Sequence, residues 1–211
     1  MLEHVPGWLG KAMRGMRAGA DKLAIVQPEL GGRFASLDLT SPAFGHEGRL
    51  PPRFTADGEG TSPPLTWGPV PEGTVRLALL VEDADAPAPQ PLVHAVVWGL
   101  AADAGRLAEG AITADGDGDA EGRDVGRNSY LREGWLPPDP PTGHGAHRYA
   151  FQLFALDEGA GDPGSTPGRR ELVRAMAGHV LAAGLLIGTY SRGEEAPVEP
   201  AQATSLAPAS R

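Results

Sequence analysis

A loop followed by a strand decides the fold of this chain: Pro137-Pro-Asp-Pro-Pro-Thr-Gly-His-Gly-Ala-His-Arg-Tyr-Ala-Phe-Gln-Leu-Phe-Ala-Leu-Asp157. Up to Gly145 the stretch is rich in proline and glycine. It cannot pair there as a central strand, because each proline lacks the N–H that a β-ladder needs. From Ala146 onward the residues follow the period of two that predicts a β-strand. The change marks the point where a loop enters the core.

The predicted strand has two different faces. One face carries His147, Tyr149, Phe151, Leu153 and Ala155, and the other carries Arg148, Ala150, Gln152, Phe154 and Leu156. Because the first face is apolar except at its start, we expect His147 and Tyr149 at the mouth of a pocket. Gly143 and Gly145 let backbone N–H groups approach a ligand closely, and an imidazole beside them can donate to an anion. A plain strand start, in which His147 caps a backbone carbonyl, explains the same residues.

Two carboxylates extend the apolar face of a second strand. Residues 75 to 81 predict this strand, and the parity of its apolar face continues to Asp83 and Asp85. Pro87 then stops the pairing. An isolated Asp-x-Asp is also typical of a solvated turn. The pair therefore points to function only if other polar side chains meet it.

A histidine interrupts the next predicted strand, at residues 92 to 100. His94 lies on a face that otherwise carries Leu92, Val96 and Trp98. A lone histidine in such a place is usually a hydrogen-bonded core residue. His94 matters for function only if Asp83, Asp85 and His147 converge on it.

Weaker patterns predict the remaining elements. They are strands at 33–39, 65–67 and 185–190, a basic amphipathic helix at 8–18, an irregular linker at 19–33, and a helix with Thr166 as N-cap and Pro167 as first residue. The last helix carries Leu172, Met176 and Val180 at four-residue steps, which predicts one apolar side facing the sheet.

The composition restricts the class of protein. The 211 residues suffice for one domain with a full core, and 41% hydrophobic residues with 30 Gly and 21 Pro are typical of a globular chain rich in turns. The net charge of −9 argues against nucleic-acid binding, which needs a basic patch. No apolar run is long enough for a transmembrane segment, no secretion signal is recognised and cysteine is absent. We expect a cytoplasmic protein.

Three kinds of site could use these aspartates and histidines. A zinc or iron site would take two histidines and one or two aspartates, but their spacing is scattered. A hydrolase needs a nucleophile beside a base, and neither Ser62 nor Ser129 stands in a recognised motif. An anion pocket needs imidazole and N–H donors with a carboxylate that orients them, and the residues supply those groups.

Several motifs, taken in order, resemble one protein family. They are Ser41-Pro-Ala-Phe, Phe54-Thr-Ala-Asp-Gly, Ser62-Pro-Pro-Leu-Thr-Trp, Asp83-Ala-Asp-Ala-Pro, His94, Gly143-His-Gly-Ala-His-Arg-Tyr and Gly178-His-Val-Leu-Ala. Over residues 38 to 192 the chain closely resembles the phosphatidylethanolamine-binding protein (PEBP) family, and within it the bacterial Raf kinase inhibitor-like branch. It departs from the family pattern at Ala56, Ala84 and Ala95, which leaves the polar residues intact but alters the shape of the pocket.

The resemblance implies a ligand pocket lined by Asp83, Asp85, Pro87, His94, Pro141, Gly143, His147 and Tyr149, and Gly145 joins them from its place in the loop. His147 and the backbone at 143–145 would donate to the ligand. Asp83 would orient His94 or accept from an amine, and Asp85 would brace its turn. The expected ligand is a small anion or a phosphorylated head group, and we predict no metal, cofactor or catalytic residue.

The resemblance also implies a mainly β fold: two antiparallel sheets with Greek-key connections, a C-terminal helix and a short N-terminal helix. The many short strands separated by Pro/Gly turns agree. We expect an N-terminal extension at 1–33, a PEBP-like domain at 34–192 and a disordered tail at 193–211. The predicted function is non-catalytic ligand binding by a homodimer. Two alternatives stay open: a hydrolase that uses the Asp/His cluster, and a kinase or protease inhibitor that acts through the loops at the pocket rim.

Overall fold

The computed structural model describes residues 7–114 and 124–192. The predicted disorder at 193–211 therefore concerns residues outside the described ones, as does the start of the N-terminal extension. Within these ranges, no helix has the length and apolar character needed to cross a membrane.

The described part of the chain contains four long strands and six short ones. They are β1 (Ala35–Ser36), β2 (Leu39–Thr40), β3 (Gly48–Arg49), β4 (Leu65–Trp67), β5 (Arg76–Asp83), β6 (Leu92–Leu100), β7 (Gly105–Leu107), β8 (Asp124–Val125), β9 (His147–Leu156) and β10 (Val180–Tyr190). Two helices accompany them, α1 (Gly7–Ala12) and α2 (Arg169–Met176).

The strands form two sheets, as predicted. The larger sheet has the order β1-β10-β9-β5-β6-β8, with β3 also paired to β10, and the smaller sheet has the order β2-β4-β7. The long strands are antiparallel, while β1 and β3 run parallel to β10. Along the chain, β6 is followed by β7 in the smaller sheet and then by β8, which pairs with β6. The connection from β8 crosses β6 and β5 to reach β9. The mainly β, two-sheet fold is confirmed.

The larger sheet is buried on both faces. Phe151 of β9 packs with Trp67 of the smaller sheet in the core between the sheets. Phe154, on the opposite face of β9, packs with Leu172 of α2. The two faces predicted for β9 are thus correct. Burial of both faces explains why the central strands contain few polar residues.

The start of α2 differs from the prediction. The helix begins at Arg169 rather than Pro167, and Gly168 precedes it without a side-chain cap. The reason is a tertiary contact: Arg127 donates from its side chain to the carbonyl of Thr166 at 3.1 Å and from its backbone to the carbonyl of Pro167 at 2.9 Å. These bonds hold both residues outside the helix.

Two strand predictions had wrong limits. The single strand predicted at 33–39 is divided between β1 and β2, which belong to different sheets. β10 begins at Val180, not Leu185, so Val180 does not belong to the helix. Gly184 hid the start of β10, because glycine is poor in strands unless a neighbour needs the space, and a methyl group there would lie 2.6 Å from the carbonyl oxygen of Leu37. A methyl group on Gly188 would lie 2.6 Å from Leu50.

The N-terminal extension packs on the domain more closely than a linker would. α1 ends at Ala12, and three single 3₁₀ turns follow at Ala20–Lys22, Ala24–Val26 and Pro28–Leu30. Leu30 is buried in the core cluster beneath α2. The predicted irregular linker therefore contributes to the core.

Candidate functional site

The site begins where β5 ends and β9 starts. These strands are antiparallel neighbours, and their register pairs Asp83 with Tyr149. Oδ2 of the buried Asp83 accepts a hydrogen bond from Nδ1 of His147 at 2.7 Å, and Oδ1 accepts one from the backbone N–H of Asp85 at 2.8 Å. Asp83 thus orients His147, and not His94 as predicted.

A second histidine, His144, continues this series of hydrogen bonds. Its Nδ1 lies 2.7 Å from Nε2 of His147, and its Nε2 lies 2.9 Å from the carbonyl oxygen of Met13. His144 is fully buried. Its burial, followed by the nearby His147, lowers the pKa of His144. Both ring nitrogens of His147 are therefore engaged within the protein.

His94 and Tyr149 lie beside this pair, with their rings edge to face at 5.1 Å. His94 donates from Nδ1 to the carbonyl of Leu136 at 2.6 Å. Its Nε2 and the Tyr149 hydroxyl are the two buried side-chain atoms that lack a hydrogen-bond partner in the described part of the chain. Burial lowers the pKa of His94 and raises the pKa of Tyr149, so both groups are neutral near pH 7.

A cavity of about 170 Å³ opens next to these groups. Its lining residues are Asp83, Ala86, Pro87, Ala88, Leu92, Tyr130, Asp139, Pro140, Pro141 and His147. The walls are mainly apolar, and each carboxylate in them has a partner. Asp83 holds His147, and Asp139 accepts a hydrogen bond from Arg192 at 2.6 Å. The volume suits a small group rather than a large ligand.

Asp85 does not line this cavity. Arg148 binds its carboxylate through Nε at 2.7 Å and Nη2 at 2.8 Å, and Arg17 binds it at 2.8 Å. Burial alone would raise the pKa of Asp85, but the hydrogen bonds from Arg148 and Arg17 outweigh it and lower the pKa to about 2. Asp85 thus holds Arg148 and Arg17 rather than facing the cavity.

Gly143 and Gly145 turn toward the N-terminal extension. A methyl group on Gly143 would lie 2.8 Å from the carbonyl of Gly7, and one on Gly145 would lie 3.4 Å from Arg17. Both glycines have positive φ, at 82° and 105°, which other residues rarely adopt. Their role in the structure is to shape the loop, and neither lines the cavity.

The cavity brings together Asp83, Pro87, Pro141 and His147 from the predicted set. His94 and Tyr149 do not line it; the Tyr149 ring stacks on that of His147 at 6.4 Å, and His94 packs against Tyr149. Sequence reasoning missed Asp139, Tyr130 and His144. Asp139 and His144 lie within the proline- and glycine-rich loop from 137 to 145. Their position in this loop could have identified them as candidate site residues. Tyr130 carried none, because it follows an irregular segment.

The residues considered for the other two kinds of site can be compared with the arrangement of the described residues. Among the described residues, no group of three or more acidic or histidine side chains is arranged to hold a metal ion. Ser62 and Ser129 each accept a hydrogen bond from a backbone N–H, of Ile112 at 3.1 Å and of Val93 at 2.8 Å. Both hydroxyls therefore stabilise loops and neither lines the cavity.

Solved structures with the same fold define the class of this protein. YbcL of Escherichia coli, described as a member of the mammalian PEBP family, is 28% identical with a TM-score of 0.68 and covers 74% of this chain and 99% of its own. A PEBP homologue of Chlamydia trachomatis is 33% identical with a TM-score of 0.65, covering 74% and 98%. The chain therefore has the PEBP fold.

Sequence relatives identify the family. The family model for phosphatidylethanolamine-binding protein matches residues 40–191. A UPF0098 protein of Methanothermobacter thermautotrophicus is 39% identical over 168 residues, which cover 74% of this chain and 100% of that protein. The chain belongs to the phosphatidylethanolamine-binding protein family, and the resemblance inferred from its motifs is confirmed.

Proposed function

We propose that the cavity binds a small anion or a phosphorylated head group, and that the protein is a non-catalytic binding protein. The observation that carries the proposal is the pair of buried polar atoms without a protein partner, Nε2 of His94 and the hydroxyl of Tyr149. Buried polar groups are almost always hydrogen-bonded. Two such groups beside a small cavity therefore favour a ligand that completes their hydrogen bonds.

The chemistry of these groups favours a phosphorylated amine. The Tyr149 hydroxyl can donate to a phosphate oxygen. Nε2 of His94 is an acceptor, because Nδ1 carries the proton, so it suits a P–OH group or an ammonium. Asp83 and Asp139 favour an ammonium, and the His147 ring lines the same cavity. The description of the matching family model names phosphatidylethanolamine, whose head group has both charges.

Calorimetric titration with inorganic phosphate and with phosphoethanolamine tests this function. We expect both to bind, with phosphoethanolamine the tighter ligand. Phosphate affinity should fall as the pH rises from about 5 to 8, because imidazoles lose their positive charge in that range. His147→Ala should weaken phosphate binding at least about tenfold. His179→Ala is the matched control, since His179 pairs with Asp157 outside the cavity. No binding by the wild-type protein, or binding without any pH dependence, would contradict the proposal.

The proposal also excludes catalysis and places the protein in the cytoplasm. Assays with aryl phosphate and aryl ester substrates, together with the metal content of the purified protein, test the first statement. Turnover that Asp83→Asn and His147→Ala both abolish would instead establish a hydrolase. Fractionation of cells that produce the full chain tests the location.

A further inference from the structure

Residues 7–18, here called the N-terminal segment, are docked on the loop at 141–146. The hydrogen bonds between them run from Arg14 Nε to the carbonyl of Gly143 (2.7 Å), from Arg17 Nη1 to that of Ala146 (3.0 Å), and from His144 Nε2 to those of Met13 (2.9 Å) and Met16 (3.2 Å). Pro141, at the start of this loop, lines the cavity. The family match begins at residue 40, so the segment lies outside it.

Three hydrogen bonds in series connect Asp83 with the N-terminal segment. A carboxylate and a carbonyl can only accept, so Nδ1 of His147 and Nε2 of His144 each carry a proton. Nδ1 of His144 and Nε2 of His147 lie 2.7 Å apart and form the bond between the two rings. No ring N–H of either histidine is left for a ligand.

We propose that His144 determines which ligands the cavity accepts, because it occupies the Nε2 of His147 that an anion would need. This inference rests on the proposed function of the cavity. An anion that binds Nε2 of His147 must break its bond to His144. Because His144 also bonds to Met13, breaking that bond weakens the contact between the loop at 141–146 and the N-terminal segment. The docked N-terminal segment and an anion at His147 therefore compete. An ammonium group binds carboxylates and does not need this nitrogen.

The charged groups around His147 and His144 do not offer an anion another binding partner. Asp83 on β5 and the neutral His94 on β6 face His147, and Arg17 of the N-terminal segment faces His144. Arg148, the next residue of β9, is bound to Asp85. No further cation among these groups is free to take the place of His147 as the partner of an anion.

Gly10 allows the N-terminal segment to be undocked without removal of a polar group. A methyl group there would overlap the carbonyl oxygen of Thr142 and would lie 3.2 Å from the backbone nitrogen of His144. Because those are backbone atoms, the segment must move away. Gly15 has no atom within 4 Å of the same position, so Gly15→Ala is a matched control.

The test is calorimetric titration of inorganic phosphate, and separately of methylammonium, into wild type, Gly10→Ala, Gly15→Ala and His144→Ala at pH 6. We expect phosphate affinity to rise about fivefold to tenfold in Gly10→Ala and His144→Ala, which is the effect of one hydrogen bond. Gly15→Ala should match wild type, and methylammonium should not distinguish the four proteins. If His144→Ala does not fold, Gly10→Ala decides the question.

Because such coupling is reciprocal, phosphate binding should also weaken the docking of the N-terminal segment. Saturating phosphate should speed tryptic cleavage after Arg14 and Arg17 in the wild-type protein. Equal phosphate affinity in wild type and Gly10→Ala, or weaker binding by Gly10→Ala, would overturn the competition and leave the proposed function standing. Phosphate binding by none of the proteins would overturn the proposed function itself.

Discussion

Asp83 and Asp85 stand two residues apart, yet their side chains have different partners. The period-two pattern placed both on the face that leads to the pocket. In the structure β5 ends at Asp83, and a turn directs Asp85 to Arg148 and Arg17. A period of two holds only within a strand, and nothing before Pro87 marks where the strand ends. The sequence could therefore predict two polar groups at this point, but not their directions.

Asp85→Asn should lower the free energy of unfolding at pH 7 by about 1–3 kcal/mol, since two arginines lose their ionic partner and Arg148 is half exposed. The pKa of Asp85 is lowered from 3.8 to about 2. The carboxylate therefore stabilises the fold above pH 4, and the stabilisation is lost as the pH falls from about 4 to 2.

Urea unfolding at pH 7 and at pH 2.5 measures the effect. The gap between wild type and Asp85→Asn should shrink at the lower pH. Asp38→Asn, at an exposed position, should stay within about 0.5 kcal/mol of wild type. If the difference in unfolding free energy between wild type and Asp85→Asn did not change with pH, the ion pair would not be the cause of that difference.

Tyr149→Phe removes a hydroxyl without a protein partner. We expect the free energy of unfolding to change by less than about 0.5 kcal/mol or to rise, while phosphate binds about fivefold more weakly. Tyr190→Phe is the matched control, because the Tyr190 hydroxyl donates to Asp57 at 2.8 Å and its loss should cost about 1 kcal/mol. Calorimetry and urea unfolding of both variants provide the comparison, and a large loss of stability in Tyr149→Phe would contradict it.

His144 shows what residue types alone cannot reveal. The sequence places it three residues before His147 in a glycine loop, but its partner Met13 is distant in the chain. A contact between segments so far apart depends on how the N-terminal segment docks. That docking requires the absence of a side chain at Gly10, and this requirement is visible only once the position of the loop at 141–145 is known.

At the scale of elements, β9 was the best predicted strand because both its faces are buried and its parity is uninterrupted. The start of α2 was wrong because a hydrogen bond to Arg127 outweighed the preference of Thr166 and Pro167 for a helix start. Local preference predicts an element well where packing agrees with it, and poorly where a distant segment competes for the same backbone groups.

The three turns of the N-terminal extension behave as part of the fold. Leu30 is 1% exposed, whereas Val26 is 52% exposed. Leu30→Ala should therefore lower the free energy of unfolding by about 2–4 kcal/mol, and Val26→Ala by less than about 0.5 kcal/mol. Urea unfolding tests both variants. Equal stability of the two would mean that the extension is not docked in solution.

At the scale of the whole molecule, the family resemblance predicted the two-sheet arrangement correctly, whereas the number of chains that associate stays a prediction. The proposed homodimer rests on the family resemblance, and Trp8 on α1 is 70% exposed. Light scattering should give twice the chain mass of 21.9 kDa. Trp8→Ser tests whether α1 takes part in association, and a monomeric wild-type protein would refute the dimer.

His94 holds Leu136 from two sides: its backbone carbonyl accepts from the Leu136 N–H at 2.8 Å, and its ring donates back to the Leu136 carbonyl at 2.6 Å. Four of the next five residues are prolines, whose φ angles are fixed before any guest arrives. The proposed ligand would therefore meet a wall that loses almost no conformational freedom on binding, which lowers the entropic cost of association. Any slow rearrangement during uptake of that ligand would then be expected where the N-terminal segment contacts the loop at 141–146.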